Sequence, residues 1–298
     1  MAIGWSTYQD VSIREDLLSI LKDVSPLDGN YLVANLGKST ATQRNHEWVT
    51  YYTARPTSVT FQAEGFDASV VDLRGPVRSN NYTAIISEVI QVTGSERVMN
   101  TALNIDPYTF QKNEALKRMN ATMEFALLNG SSKVSGASGV ARQMLGIDGC
   151  ITTNVSAYSN ATMSMSVVED ILQSSWNKVG ASYVADTIIT TMTLKRKFST
   201  FGTYVTNFAN NTNKLFGNVS TFEAATGVVN IVPHKDVAAG KLYALKLDTF
   251  KMAFLQGREP QFVELAKTGD ADKGMYLTEM TLEALAEPAS VKVSGLTN

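Results

Sequence analysis

One long helix between residues 106 and 128 constrains the fold of this chain more than any other segment. Asp106 is a typical N-cap residue, Pro107 suits the first helical position, and Asn129-Gly130 ends the pattern. About 22 residues at ~1.5 Å each give a helix of roughly 33 Å, which exceeds the usual globular length. The stripe expected to face inward consists of Tyr108, Ala115, Leu116, Met119, Met123 and Leu127. The charged residues Lys112, Lys117, Arg118 and Glu124 fall mostly elsewhere on the helix.

The composition of the chain excludes several function classes. With 298 residues, of which 44% are hydrophobic and 18% charged, it can form one elaborated domain or two ordinary ones. A formal net charge of −2 gives no basic face for wrapping nucleic acid. The single cysteine excludes an internal disulfide. No apolar run approaches about 20 residues and no secretory signal pattern begins the chain, so we expect a soluble cytosolic product without membrane contact.

The N-terminal region predicts a short amphipathic helix over residues 11–24, with Pro26 as its stop. Its apolar stripe consists of Ile13, Leu17, Ile20, Leu21 and Val24. A helix this short cannot bury its stripe alone and must lie on another surface. That surface is either the body of the same chain or a neighbouring subunit, and the residues leave both open.

Residues 47–96 predict a hairpin-like excursion from the body. Residues 48–53 and 59–63 resemble strand pieces, and turn signals fill residues 64–76. Residues 82–93 alternate well, which indicates a longer strand with one mainly apolar face. That face carries Tyr82, Ala84, Ile86, Glu88, Ile90 and Val92. Because a two-stranded ribbon is marginally stable alone, it either folds back into a sheet of its own domain or needs a partner surface.

The region after residue 150 predicts mixed helices and strands. A capping box at Ser166-Val167-Val168-Glu169 opens a helix to about Val179. Asp248 is expected to cap a second short helix over residues 249–255. The basic cluster Lys195-Arg196-Lys197 lies in a helical piece and is either a solvated face or a phosphate contact. The expected strands cover residues 150–153, 187–190, 228–232 and 241–247.

The last forty residues predict a hairpin. An approach strand around Glu264-Leu265 leads to a Gly/Asp turn at residues 269–274, and a return strand follows over residues 275–285. The turn resembles the start of a calcium loop, but its fifth ligand position is Gly274 and its twelfth is Thr281. A hairpin turn is therefore the better interpretation.

The chain offers no recognisable catalytic, cofactor or metal site. His46 and His234 are far apart in sequence, and with Cys150 they give no zinc-ligand spacing. No local signature supports a nucleophile–base pair at Cys150, so a buried structural thiol is the better interpretation. Gly37-Lys38-Ser39 looks like the end of a phosphate-binding loop, but Leu32 stands where that motif requires glycine. We therefore expect no enzyme, no metal and no cofactor.

The order of these elements resembles the major capsid proteins of tailed bacteriophages, which share the Hong Kong 97-type fold. That order is an N-terminal arm, an extended loop, a long spine helix, a central α/β region and a C-terminal strand that returns to the helix. Short motifs in the same order strengthen the resemblance. They are Arg14-Glu15-Asp16-Leu17-Leu18, Ser25-Pro26, Glu47-Trp48, Ala137-Ser138-Gly139-Val140-Ala141-Arg142, Leu145-Gly146-Ile147, Val232-Pro233-His234 and the segment from Thr268 to Leu282.

The resemblance implies an α+β fold of the phage capsid type. The implied division is an N-terminal arm at residues 1–46, an extended β-hairpin loop at 47–96, a peripheral domain with the spine helix at 97–150 and 262–298, and an axial domain at 151–261. In this family the arm and the loop reach onto neighbouring subunits. We therefore expect a subunit interface at Ile13, Leu17, Phe66, Asp67 and Arg74.

The implied function is structural. Copies of the chain would assemble as hexamers and pentamers into the icosahedral head shell of the virion, which encloses viral DNA without sequence-specific binding. We expect assembly in the bacterial host cytoplasm with a separate scaffold protein, because the arm is short, and with portal and decoration proteins as further partners. Two alternatives stay open, namely another virion component of the tail or decoration class and an α/β enzyme with an unrecognised site.

Overall fold

The computed structural model describes residues 29–53, 56, 58–59, 61–67, 75–99, 106–201, 220–267 and 269–297. The predicted helix at residues 11–24 lies outside these ranges, as do Ile13, Leu17 and Arg74. Phe66 and Asp67 fall within them. Among the helices of the described ranges, none is long and apolar enough to cross a bilayer.

The described residues form helices and strands mixed along the chain. The helices are α1 Tyr31–Asn35, α2 Gly94–Val98, α3 Pro107–Asn129, α4 Ile147–Cys150, α5 Met165–Val179 and α6 Met192–Phe198. The strands are β1 Gly37–Ala41, β2 Asn45–Thr50, β3 Val77–Tyr82, β4 Ala84–Thr93, β5 Val155–Thr162, β6 Thr187–Thr190, β7 Thr221–Ala224, β8 Gly227–Pro233, β9 Leu242–Leu245, β10 Phe250–Leu255, β11 Gln261–Leu265, β12 Ala271–Ala284 and β13 Val291–Thr297. They form a five-stranded sheet, a six-stranded sheet and a two-stranded ribbon.

The long helix α3 forms where its local signals predict it. The Asp106 carboxylate accepts a hydrogen bond from the backbone N–H of Thr109 at 3.2 Å, and Gly130 ends the helix. Of the predicted stripe, four side chains are buried, namely Ala115, Met119, Met123 and Leu127. Leu116 is 38% exposed, so its assignment to the inward stripe is wrong. Glu124 was expected mostly on the polar side, yet it is buried because it hydrogen-bonds to three groups of other elements.

The five-stranded sheet is built around β12. Strand β4 pairs antiparallel with β12 along its whole length, from Ala84 opposite Met280 to Thr93 opposite Ala271. Strands β10 and β11 pair with the other edge of β12, and β1 adds to β10 in parallel. The helix α3 packs on β4, whose Ile86, Ile90 and Val92 are buried as the alternation predicts. The antiparallel pairing of β11 with β12 confirms the predicted C-terminal hairpin, but β12 begins at Ala271, so most of the turn predicted over residues 269–274 is strand.

The six-stranded sheet has the strand order β5-β13-β9-β6-β8-β7. Helix α5 packs against it through Ile171 and Leu172, which share a buried cluster with Ile188 of β6 and Val293 of β13. Residues 291–297, which the resemblance assigns to the peripheral domain, form β13 in this sheet and pair with β5 and β9. Strand β4 likewise lies in the five-stranded sheet rather than in the predicted loop.

The two-stranded ribbon consists of β2 and β3, paired antiparallel from Asn45 opposite Tyr82 to Thr50 opposite Val77. The strand predicted over residues 48–53 ends at Thr50, and the described residues between 59 and 63 form no strand. Trp48 lies in the main core together with residues of α3, β10 and β12. The base of the ribbon is therefore anchored in the body.

The helix predicted after Asp248 is wrong. Residues 247–249 form a single 3-10 turn, and the strand β10 follows. This strand lies between β1 and β12 within the sheet, and Phe250, Met252, Ala253 and Phe254 are all buried, so its sequence shows no apolar–polar alternation. A short apolar run without alternation does not distinguish such a strand from a buried helix.

Two further expectations need correction. The strand predicted over residues 150–153 is wrong, because residues 147–150 form helix α4. The helix cap predicted at Ser166 is two residues late: the hydroxyl of Ser164 accepts the hydrogen bond from the backbone N–H of Val167 at 3.4 Å. The remaining expected strands at 187–190, 228–232 and 241–247 are confirmed within one or two residues of their ends.

Candidate subunit interface

The segment that joins the two ribbon strands exposes large apolar side chains. Phe61 is 90% exposed and Phe66 is 56% exposed, and both lie in the loop between β2 and β3. Phe66 follows a turn at Gly65, whose φ of +82° favours glycine, and its N–H donates to the carbonyl of Ala63 at 3.1 Å. Further exposed apolar residues of the ribbon are Val49, Tyr51, Tyr52, Val59 and Val77. Exposed apolar clusters of this kind are typical of protein–protein contact surfaces.

The predicted interface residues are only partly within the described ranges. Phe66 and the neighbouring Asp67 are both exposed at the ribbon end, as a contact with another subunit requires. Ile13, Leu17 and Arg74 lie outside the described residues. The predicted set therefore stays a prediction.

The opposite face of the ribbon is held against the body by polar contacts as well as by Trp48. The Glu283 carboxylate of β12 accepts a hydrogen bond from the hydroxyl of Ser39 at 2.8 Å and lies 3.5 Å from Nε2 of His46. The hydroxyl of Tyr52 donates to the carbonyl of Leu285 at 3.4 Å. The contacts of His46 and Tyr52 attach the first ribbon strand and the residues after it to the body, whereas the Ser39 contact lies within the five-stranded sheet.

The side-chain amide of Asn81 attaches the second ribbon strand to the body. Its Nδ2 donates to the carbonyl oxygens of Leu145 at 3.0 Å and Leu282 at 2.9 Å. Its Oδ1 accepts the backbone N–H of Leu145 at 2.9 Å. The amide is fully buried and pairs with Leu145 in both directions, as a backbone peptide group would in a sheet.

A partly buried ion pair contacts Thr83, two residues after Asn81. Nη2 of Arg142 is 2.6 Å from Oε1 of Glu279, and the hydroxyl of Thr83 donates to the same oxygen at 2.7 Å. Nη1 of Arg142 in turn donates to the Thr83 hydroxyl oxygen at 3.0 Å. The Glu279 side chain is only 3% exposed, and Nε of Arg258 lies 3.9 Å from its second oxygen. We call the three residues Thr83, Arg142 and Glu279 the clasp.

The sheet face opposite α3 carries a second apolar patch, in which two residues are exposed and three are half-buried. The register places Val89 of β4, Met275 of β12 and Val263 of β11 side by side on this face. Ile85 and Leu277 flank that row on the same face. Ile85 is 52% and Val89 is 58% exposed, although an apolar sheet face is usually packed against other parts of a protein. We call these five residues the outer sheet patch.

A second set of polar contacts joins helix α4 to the six-stranded sheet. The carboxylate of Asp148 accepts hydrogen bonds from Nζ of Lys241 and from the Tyr243 hydroxyl, both at 2.8 Å, and lies 3.9 Å from Nζ of Lys292. Burial disfavours the charged carboxylate, but these partners outweigh it, so the pKa of Asp148 lies below its usual value. The group therefore links α4 to two strands of the six-stranded sheet as an anion.

The thiol of Cys150 is not activated. Burial, with a smaller contribution from the charge of Glu287, raises its pKa to about 11. Among the described residues, no group of three or more histidine, cysteine, aspartate or glutamate side chains could hold a metal ion. The arrangement instead provides apolar contact surfaces and fixed joints.

Comparison with known proteins identifies the class. The family model described as SU10 major capsid protein matches residues 4–297. No curated protein matches the sequence. The fold is that of shell-forming proteins of tailed phages and their relatives, and this chain belongs to the SU10 major capsid protein family.

Solved structures show the same fold at low sequence identity. The capsid asymmetric unit of cyanophage A-1(L) is 12% identical, with a TM-score of 0.69 over 98% of this chain and 99% of that one. The capsid of an empty GTA particle is 8% identical, with a TM-score of 0.65 over 98% of both chains. The SrpI encapsulin of Synechococcus elongatus PCC 7942 is 12% identical, with a TM-score of 0.62 over 95% of this chain and 92% of that one.

These matches confirm the predicted α+β capsid fold and the structural function. The chain is a major capsid protein of the phage head shell, which forms from many copies of itself, and the family is not one of enzymes. Sequence reasoning missed the clasp and the contacts of Asn81 with Leu145, which join residues between 59 and 196 positions apart in sequence. No local pattern marks such contacts.

Proposed function

We propose that copies of this chain assemble through the ribbon, whose exposed end covers a neighbouring subunit. The observation that carries the proposal is the high exposure of Phe61 and Phe66 in the loop of a two-stranded ribbon. Burial of one phenylalanine side chain is worth about 1.5–3 kcal/mol. A protein that exposes several such side chains on one projection gains most when a copy of itself covers them.

The outer sheet patch is the surface that we propose for the partner side of this contact. It is apolar, as the ribbon end is, and it lies on a rigid sheet whose register is fixed by pairing on both edges of β12. Contact between the ribbon of one copy and the patch of the next is heterologous, and such contacts close into rings when the rotation closes. Rings of this type correspond to the proposed hexamers and pentamers of an icosahedral shell.

We propose a division into domains that follows the pairing of strands. The peripheral domain contains the spine helix and the five-stranded sheet, including β4, and the axial domain contains the six-stranded sheet, including β13. The ribbon with its loop, residues 45–82, is the extended loop, and the residues before 29 belong to the arm. The arm is proposed to reach a neighbouring subunit through Ile13 and Leu17, with Arg74 as a further contact from the loop.

The proposal includes partners beyond the chain itself. A separate scaffold protein would assist assembly in the host cytoplasm, a portal would replace one capsomer, and decoration proteins would bind the finished shell. The formal net charge of −2 supports a shell that encloses DNA without binding it tightly, because tight binding of the DNA phosphates needs many clustered cations.

The test compares shell formation by ribbon variants. Phe61→Ser with Phe66→Ser removes two exposed rings, and Phe61→Leu with Phe66→Leu is the matched control that keeps apolar character. Each chain is expressed with and without a candidate scaffold, and products are separated by sedimentation and counted by electron microscopy. The serine variant should lose at least roughly ten-fold in shell yield, since 1.4 kcal/mol corresponds to ten-fold in a binding constant. Its subunit should keep the wild-type circular dichroism spectrum.

Two outcomes decide the test. Shells from the leucine control but not from the serine variant support the ribbon contact. A wild-type shell yield from a folded serine variant contradicts the ribbon contact but does not affect the assignment of the chain to its family.

A further inference from the structure

The direction in which the ribbon projects must be set at its base. Within the described residues the ribbon consists of two strands, and an isolated pair of strands is marginally stable in water. Its described contacts with the body include His46 at the start of β2, Asn81 at the end of β3 and Tyr52 just after β2. A small change in the angle of the ribbon at its base would displace the loop that contains Phe61 and Phe66 by a larger distance.

Asn81 supplies the first fixed point at that base. A side-chain amide that pairs with Leu145 both as donor and as acceptor fixes orientation as well as distance. Its second donor bond to Leu282 adds a third direction. The three bonds connect β3 to the loop after the spine helix and to β12. The ribbon strand is thereby held between two elements that belong to the body.

The clasp supplies the second fixed point. Arg142 belongs to the same loop as Leu145, Glu279 to β12, and Thr83 lies directly after β3. The three side chains form a closed triangle of contacts between 2.6 and 3.0 Å. A planar guanidinium that meets two oxygens at once restricts rotation more than a single hydrogen bond does.

A third contact comes from the same loop. Nζ of Lys133 donates to Oδ1 of Asn80 at 2.8 Å, next to Asn81. The loop between α3 and α4 therefore contacts the ribbon base at Asn80, Asn81 and Thr83 in succession. This loop is connected directly to the spine helix, so the ribbon is oriented relative to that helix.

We propose that the clasp and Asn81 set the angle of the ribbon and thereby the geometry of contact between copies. Buried ion pairs often add little to stability, because desolvation offsets the attraction, yet they can specify one arrangement among several. The clasp fits this role: replacement by apolar side chains of similar size should preserve folding but loosen the direction. The consequence for assembly rests on the proposed ribbon contact, whereas the effect on direction does not.

The experiment measures ribbon direction in the unassembled subunit. Spin labels are placed at Val49→Cys on the ribbon and Met192→Cys on helix α6, both exposed sites, in a Cys150→Ala background. Pulsed electron spin resonance then gives the distribution of label-to-label distances at a concentration below assembly. The variant is Arg142→Met with Glu279→Met. The matched control is Arg78→Met, which removes an exposed arginine–glutamate pair within the ribbon.

The labelled subunit with the original clasp residues and the Arg78→Met control should each give one narrow peak in the distance distribution. The double methionine variant should lose that single peak and give a broad distribution, with a melting temperature close to that of the parent. A narrow, unshifted peak in the double variant overturns the proposal. If the double variant does not fold, Arg142→Lys is used instead, since it keeps the charge but loses the two-pronged contact, and the same two outcomes decide.

Shell formation by the same variants separates the two proposals. A broad distance distribution with misassembled or absent shells supports both. A broad distribution with normal shells overturns the effect of the clasp on contact geometry and leaves the ribbon contact to the test with the serine variant. An unchanged distribution overturns the clasp proposal and leaves the ribbon contact to its own test.

Discussion

Glu124 and His234 form a buried hydrogen bond of 2.8 Å between the spine helix and the residues after β8. The same carboxylate accepts the backbone N–H groups of Leu32 at 2.7 Å and Val33 at 2.8 Å. Nδ1 of His234 accepts the N–H of Asp236 at 3.1 Å, so the ring proton resides on Nε2 and points to Glu124. One carboxylate on the spine helix thus holds the start of the described chain and a loop of the six-stranded sheet.

Glu124→Gln should destabilise the subunit by about 1–3 kcal/mol, because the new amide group opposes one of the three donors and leaves it unsatisfied. The free energy of unfolding in urea measures the change. Glu169→Gln, at an exposed site of α5, is the control and should stay within about 0.5 kcal/mol of the parent. Equal unfolding free energies for the two variants would contradict the role of Glu124.

Asp148 should make stability depend on pH in the acidic range. Its pKa in the folded subunit is lowered, so its contribution is present above the unfolded value of about 3.9 and is lost as the pH falls further. The gap in unfolding free energy between the parent and Asp148→Asn should therefore be widest near neutral pH and narrow below about pH 4. Urea titrations from pH 7 down to pH 3 measure this gap. A gap that does not change with pH would refute the assignment.

Gly295 should not tolerate a side chain. Its φ is +77° in β13, and a Cβ there would lie 1.7 Å from the carbonyl oxygen of Tyr158 in β5. Gly257 has the same φ of +77° but no atom within 4 Å of such a Cβ. Gly257→Ala should cost about 1 kcal/mol of strain, and Gly295→Ala clearly more, because crowding adds about 1–3 kcal/mol. Thermal unfolding of both variants checks the difference, and equal losses would be the contrary result.

The thiol of Cys150 should react slowly with a disulfide reagent in the native subunit. Burial raises its pKa to about 11, so little thiolate exists at pH 8. Labelling in urea, where burial is lost, should be faster by orders of magnitude, in line with an ordinary cysteine pKa of about 8.5. Because the chain has one cysteine, the absorbance change reports this site alone. Similar rates in buffer and in urea would disprove the buried environment.

The sequence predicts those parts of the fold whose causes are local. The cap at Asp106, the glycine at Gly130 and the helical period between them determine α3 without help from the rest of the chain. The C-terminal hairpin follows from its glycine turn and alternating strands. Ser164 rather than Ser166 caps α5, which shows that a pattern identifies an element better than its end.

The missed features depend on contacts between distant segments. The short apolar run of residues 250–255 forms strand β10 because it pairs with β1 on one edge and with β12 on the other. Glu279 looks like a surface residue of an alternating strand, yet Arg142 and Thr83 surround it in the folded chain. Glu124 was likewise assigned by helical position alone. Nothing within a few residues of these side chains signals their partners.

The ribbon contact between copies is the central claim, and an electron cryomicroscopy map of assembled particles tests it most directly. The map should show the ribbon of residues 45–82 extending from its own body, with Phe61 and Phe66 against Val89 and Met275 of the adjacent copy. A map in which each ribbon lies on its own body, with those phenylalanines remote from every other subunit, would contradict the account.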